Sequence, residues 1–186
     1  MINMNTPTID KYIKKFNDFK AQQPGTALKV VLTDADATAA LREYIEKNNT
    51  QVQVLIKDNI GVNIDIIDPV ITFTKDMIDL TAKGKISLIK ITISATAKVT
   101  WDGMLHVEAQ SLNVPVISIS PEKINPAIKE PLNKIMKKIQ EYIEIHSFRI
   151  TEGAAFLEGT KKLVPQMPVS AQSSTSVNTP LPNSIY

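Results

Sequence analysis

Cysteine is absent from the 186 residues. That excludes disulfides, thiolate metal sites and cysteine nucleophiles. Aromatic residues make up 5% of the chain, with a single tryptophan, Trp101. Aromatic residues are therefore sparse for stacking on nucleic-acid bases. An excess of charge of one sign is also missing. Lys and Arg total 21 against 19 Asp and Glu, a net of +2, so no strong field steers a polyanion, and nucleic acid is not expected as a partner. No apolar run reaches the roughly 20 residues of a membrane-crossing helix. Met1 to Asp10 lacks a basic stretch followed by an apolar one, so no signal peptide is predicted. The chain is expected to be cytoplasmic or peripheral to a membrane unless an export segment has been removed.

Constellations of catalytic type are missing too. His106 and His146 stand apart and belong to no metal-binding spacing. Both are expected to be ordinary polar strand residues. Gly84-Lys85-Ile86-Ser87 shares letters with the end of a phosphate-binding loop but lacks its first glycine. Asp34 and Asp36 read as first-turn helix acids, and Asp65 and Asp68 as a strand end and turn. Asp58-Asn59-Ile60-Gly61 does not follow the EF-hand pattern, and Asn48-Asn49-Thr50 is a glycosylation sequon by letters only. The expectation is a protein that is not an enzyme and carries no cofactor or metal.

What is present is alternation. From Lys85 to Thr100 one face reads Ile89, Ile91, Ile93, Ala95, Ala97, Val99, and the other Lys90, Thr92, Ser94, Thr96, Lys98. This exceeds the usual strand of about 5–6 residues. Ile86 and Leu88 precede it out of phase, which predicts a β-bulge near Leu88-Ile89. Lys83-Gly84 is expected to turn the chain into this run. Asp102-Gly103 predicts a hairpin, with Met104 to Leu112 as the return strand. Earlier, Leu28 to Leu32 reads as a short strand. Thr33 then caps a helix with the stripe Ala37, Ala40, Leu41, Tyr44, Ile45. Val52 to Ile56 and Ile60 to Ile66 alternate around a turn at Asp58-Asn59. A break at Asp68-Pro69 and strands at Val70 to Thr74 and Met77 to Ala82 follow.

The apolar face of the long run needs a partner. Ile124, Ile128, Leu132, Ile135, Ile139 and Ile143 supply a stripe at helical spacing after Ser120-Pro121. Pro126 and Pro131 predict a short helix near 121–129 and a main one from about Pro131 to Glu141. A last hairpin is expected from Tyr142 to Glu158, turning at Glu152-Gly153. The organisation read from the chain is an N-terminal amphipathic helical segment over 1–24, one α+β domain over 25–163, and a Pro/Ser/Thr/Asn-rich tail over 164–186 predicted to be disordered.

The N-terminal helix, Thr8 to Lys20, groups Ile9, Tyr12, Ile13, Phe16 and Phe19 on one face and lysines on the other. Two readings fit: a helix docked on the core, or an in-plane membrane helix with snorkelling lysines. Tyr12, Phe16, Phe19 and Trp101 are the candidate membrane contacts. Trp101 also reads as a core or edge anchor.

The order of pieces resembles a known family. "LTDADATAALREYI", the strand meander, the hairpin, "SPEKINPAIKEPLNKIMKKI" and the closing "IEIHSFRITEGAAFLEG" are similar, over roughly Leu28 to Gly159, to the LmeA-like bacterial phospholipid-binding family. That family lies within the tubular lipid-binding (TULIP-like) group. The resemblance implies a long, strongly curved antiparallel meander wrapped against a long, proline-interrupted amphipathic helix. It also implies non-enzymatic binding, with transfer as an extension, of phospholipid or another long-chain lipid at or near a membrane. Ile91, Ile93, Ala95, Ile128, Leu132, Ile135 and Ile139 are the candidate lining residues. The alternative is a structural or assembly module that offers a sheet edge or the amphipathic helix to a protein partner.

Overall fold

The computed structural model describes residues 6–48, 51–55, 61–86, 89–115 and 121–163; side chains are not described within 51–62, 121–124, 126–128 and at 131. The expectations for the first residues, the Asp58-Asn59 turn, Asn49 and Thr50 of the sequon, Val116 to Ile119, the Ser120 cap and the 164–186 tail lie outside the described residues.

The fold is α+β. Helix α1 (Pro7–Lys20) is followed by β1 (Ala27–Thr33), α2 (Asp34–Asn48), β2 (Gln51–Leu55), β3 (Gly61–Thr74), β4 (Met77–Ile86), β5 (Ile89–Trp101), β6 (Leu105–Asn113), α3 (Pro121–Gln140), β7 (Ile143–Thr151) and β8 (Ala154–Lys161). The strands form two antiparallel sheets. One is a five-stranded meander in the order β2-β3-β4-β5-β6; the other has the order β1-β8-β7. The smaller sheet joins the two ends of the described chain, with Leu28 opposite Gly159 and Leu32 opposite Ala155.

Several expectations are corrected. The long run is not one strand: Lys85 pairs with Lys90 and Ile86 with Ile89, so the chain reverses between Ile86 and Ile89. The phase slip there marks a hairpin rather than a bulge; Leu88 itself is outside the described residues. Lys83-Gly84 lies inside β4, not at a turn. Gly84 is required by close packing. A Cβ there would meet Ile91 Cγ1 and Ile93 Cδ1 at 2.9 Å and Ile64 Cγ2 at 3.0 Å. Asp68-Pro69 does not end a strand either. β3 continues through it with a register shift between Ile67 and Val70 and a left-handed Asp68, φ 48°, a conformation that aspartate tolerates.

The two proline-separated helices are a single helix. Pro126 and Pro131 remove the N–H groups that would bond the carbonyls of Glu122 and Ala127, yet α3 runs unbroken from Pro121 to Gln140. Packing of one helix face overrides the local penalty. The hairpin at Asp102-Gly103 is as expected, with Gly103 at φ 99°, as is the Glu152-Gly153 turn with Gly153 at φ 78°. A register shift lies between Thr96 and Ala97, where β6 carries an extra residue.

Among the described residues three apolar clusters hold these elements. Ile64, Ile91, Ile93 and Val114 form one within the meander. Ala37, Phe73, Val99, Ile150 and Ala155 form the second, where the two sheets and α2 meet. Phe19, Leu28 and Ile143 form the third, joining α1 to the smaller sheet. Hairpin tips tie the sheets together: Gly153 donates its N–H to the Phe73 carbonyl (3.0 Å) and Asp76 donates to the Ile150 carbonyl (3.3 Å). Within the larger sheet Val99 donates to the Asp76 carbonyl (2.8 Å).

Candidate functional site

The apolar face of the smaller sheet arises from alternation: Leu28, Val30 and Leu32 on β1, Ala155 and Leu157 on β8, Phe148 and Ile150 on β7. The end of β3 brings Ile71 and Phe73 opposite it. Between them lies a pocket of about 430 Å³ bounded by Val30, Leu32, Ile71, Phe73, Phe148 and Leu157 among its eleven lining residues, all eleven apolar. Ala37 and Ala40 of α2 form one side. Two alanines where a helix commonly presents leucine leave the space unfilled. Leu32, Ile71, Ile78 and Phe148 stay only half-buried beside the buried Phe73 and Ile150.

Helix α2 is fixed above this pocket by polar contacts at helical spacing. Asp34 Oδ1 accepts the Phe73 N–H at 2.7 Å. Thr38 Oγ1 accepts the Ile71 N–H at 2.9 Å, and Arg42 Nε donates to the Pro69 carbonyl at 3.2 Å. Residues 69, 71 and 73 therefore turn backbone groups toward α2, and the Phe73 carbonyl toward Gly153, rather than toward β4. Pro69, lacking an N–H, is tolerated because only its carbonyl is used on that side. Asp34 is thus more than a first-turn acid. Thr33 does cap the helix, its Oγ1 accepting the Asp36 N–H at 3.2 Å.

Helix α1 begins at Pro7, one residue earlier than expected, and its first turn is capped from another helix. The Glu43 carboxylate accepts the N–H groups of Thr8 and Ile9, both at 2.9 Å. Partial desolvation alone would raise the Glu43 carboxyl; the Ile9 and Thr8 donors outweigh it and hold the group below its usual value. At the other end the Lys161 ammonium donates to the carbonyls of Lys20 and Gln22. An anion at the N-terminus and a cation at the C-terminus both match the helix dipole. Tyr12 Oη donates to Asp36 at 2.7 Å and lies 2.9 Å from the Val31 carbonyl. Asp36 is held low, first by Tyr12 and then by Lys11 at 2.9 Å. Burial, then the Asp36 bond, pushes the Tyr12 phenol well up.

The candidate lining residues are dispersed. Ile91 and Ile93 are buried with Ile64 and Val114. Ala95 is half-buried, opposite Leu80 and Leu112. On α3, Leu132 is half-buried, Ile139 packs against the cluster of Phe19, Leu28 and Ile143, and Ile135 is 56% exposed. The inward residue on that turn is Met136. Ile128 falls in α3, with its side chain outside the described ones. The helix lies along β6 and reaches β7, and the six described side chains do not line one space. The pocket residues were not among them. Their signal was the small pair Ala37 and Ala40 facing two alternating strands.

Of the candidate membrane contacts, Phe19 is 3% exposed and is a core residue. Phe16 packs edge-on against Tyr142, centroids 6.2 Å apart, with the Lys20 ammonium above both rings. Trp101 is half-buried at the end of β5, opposite Leu105. Ile13 is the exposed large apolar residue of α1. His106 Nε2 lies 3.0 Å from Asp102 Oδ1 and His146 Nε2 lies 3.0 Å from Thr160 Oγ1, both on exposed strand positions. Among the described residues no cluster of three or more His, Asp or Glu could hold a metal, and no helix is long and apolar enough to cross a membrane.

No protein-family model, no curated protein and no solved structure matches the chain.

Proposed function

We propose that the protein binds the hydrocarbon chain of a long-chain lipid, without catalysing a reaction, in the pocket between the two sheets and α2. The observation that carries this reading is a space of about 430 Å³ whose eleven lining side chains are all apolar. An acyl chain needs length and an apolar wall rather than precise polar groups. Burial contributes about 0.8 kcal/mol per methylene. The half-buried Leu32, Ile71 and Phe148 would be covered by such a ligand. The TULIP-like arrangement and the kinship with LmeA-like phospholipid-binding proteins belong to the same proposal; the strand meander, the 20-residue α3 and the closing β7–β8 hairpin support them. Loading would occur at the surface of a membrane that the protein contacts peripherally.

Native mass spectrometry of the purified protein, with organic extraction of anything bound, tests the reading. The expected result is a mass adduct that extracts as lipid, or uptake of lipid from vesicles by protein stripped beforehand. A protein that stays free of lipid in both experiments overturns it.

A further inference from the structure

The sheet edges of this fold are treated unequally. The outward backbone groups of β3 at 69, 71 and 73 are taken by Arg42, Thr38 and Asp34. On β6, Asn125 Oδ1 of α3 accepts the Ala109 N–H at 2.7 Å. Natural sheets cover edges in this way because an open edge templates pairing with another chain. β1 is an edge strand of the smaller sheet, and its cover is incomplete. The Thr26 carbonyl accepts the Lys161 N–H, so the even-numbered residues of β1 bond to β8 and the odd-numbered ones face outward. Tyr12 meets the outward carbonyl of Val31. Ala27 and Lys29, both exposed, come next along the same edge. There a cleft of about 380 Å³ separates β1 from α1.

The walls of that cleft are basic. Lys11, Lys14 and Lys15 of α1 and Lys29 of β1 line it, with Asp18 as the lining carboxylate. Lys11 is paired with Asp36 and Lys29 with Glu158. Lys14 and Lys15 have no ion pair among the described residues. Phe19 and Leu28 at its base are buried, 3% and 7% exposed.

We infer that the edge of β1 accepts an extended acidic peptide segment as an added strand between β1 and α1. Its backbone bonds the outward groups of Ala27 and Lys29. Its alternate carboxylates meet Lys14 and Lys15 on the α1 side, and its intervening side chains point to the opposite face, away from α1. Backbone pairing supplies the affinity and alternate side chains the selectivity. The Tyr12–Val31 contact ends the available edge, so the added strand is short. This inference does not depend on what fills the apolar pocket.

The test uses the whole chain and the capped peptide Glu-Val-Glu-Val-Glu-Val, followed by amide NMR. The expected result is saturable shifts and slowed exchange at Ala27 and Lys29, with affinity falling as salt rises. The Lys14→Glu/Lys15→Glu variant, altered only at exposed positions, should bind about tenfold more weakly. A peptide N-methylated at alternate residues, which leaves the protein untouched, should not bind. Binding that survives N-methylation, or charge reversal without effect, overturns the proposal. So does a perturbation of this face by phosphatidylglycerol vesicles but not by the peptide, which would make it a membrane-contact surface.

Discussion

If the pocket takes a lipid chain as proposed, its size sets a chain-length rule. At about 30 Å³ for a water-sized unit, close to the volume of one methylene, the space of about 430 Å³ holds roughly fourteen units. Each methylene brought in from water contributes about 0.8 kcal/mol, or about fourfold in affinity. The cost of fixing the ligand's polar end is common to a homologous series and cancels from the slope. Saturated fatty acids of about eight to about eighteen carbons, titrated by displacement of a fluorescent fatty-acid probe, should therefore gain close to fourfold per carbon and level off near fourteen. Ala40→Phe projects a ring into the pocket from α2 and should move the levelling point several carbons shorter while leaving the melting temperature within a few degrees. Affinity that is flat across the series refutes the reasoning, because it would place the binding energy in the polar end. So does a levelling point that Ala40→Phe does not move.

Further outcomes follow from the packing and from the charges around α1. Ile143, 1% exposed, should cost about 2–5 kcal/mol on substitution by alanine, measured by urea unfolding. Gly159→Ala brings a Cβ to 2.5 Å from the backbone oxygen of Glu144 and should destabilise by about 3 kcal/mol. Gly84→Ala meets side-chain atoms of Ile91, Ile93 and Ile64 at 2.9–3.0 Å and no backbone atom and should cost less in the same assay; the reverse order would refute the steric argument. Thr38→Val keeps the shape but leaves the Ile71 N–H without its acceptor, which should cost about 1–3 kcal/mol and speed exchange of that amide. Asp36 and Glu43 both have folded-state carboxyls held low. The stability they lend to α1 is therefore complete above the ordinary carboxylate range of about pH 4 and lost as the pH falls through and below it. Tryptic cleavage at Lys14 and Lys15, tested after acid pulses or in Glu43→Gln, should report the loosening of α1.

Alternation made most strands legible. Leu28 to Leu32, Met104 to Leu112 and the closing hairpin sit close to β1, β6 and β7–β8. Glycine misled at Gly84, because close packing inside a sheet and a tight turn both favour the same residue. The real reversal between Ile86 and Ile89 is flanked by apolar residues and carries no glycine, asparagine or proline, so nothing local announces it. The prolines of α3 misled for the opposite reason: a local penalty is visible in the sequence, and the packing that offsets it is not. On α3 a shift of one residue separates Ile135 from Met136, and only the position of β6 decides which turns inward. The pocket was not legible because it depends on β1 meeting β8 across more than a hundred residues of chain. Periodicity shows which face is apolar but not which other face it will meet.

The polar residues of the helices explain why the pocket is not closed by collapse. Ala37 and Ala40 would approach the sheets more closely if α2 could slide inward. Asp34, Thr38 and Arg42, at spacings of four along α2, instead bond the backbone of β3 at three successive outward positions. Moving the helix would break these bonds, each contributing about 0.5–1.5 kcal/mol, with those to charged groups at about 1.5–3 kcal/mol. The gain from closing on two methyl groups is of similar size, at about 0.8 kcal/mol per buried carbon. The same contacts that cover the edge of β3 therefore hold α2 at a distance set by side-chain length rather than by apolar contact. In this fold edge protection and an open apolar interior have one cause, the polar seam between α2 and β3.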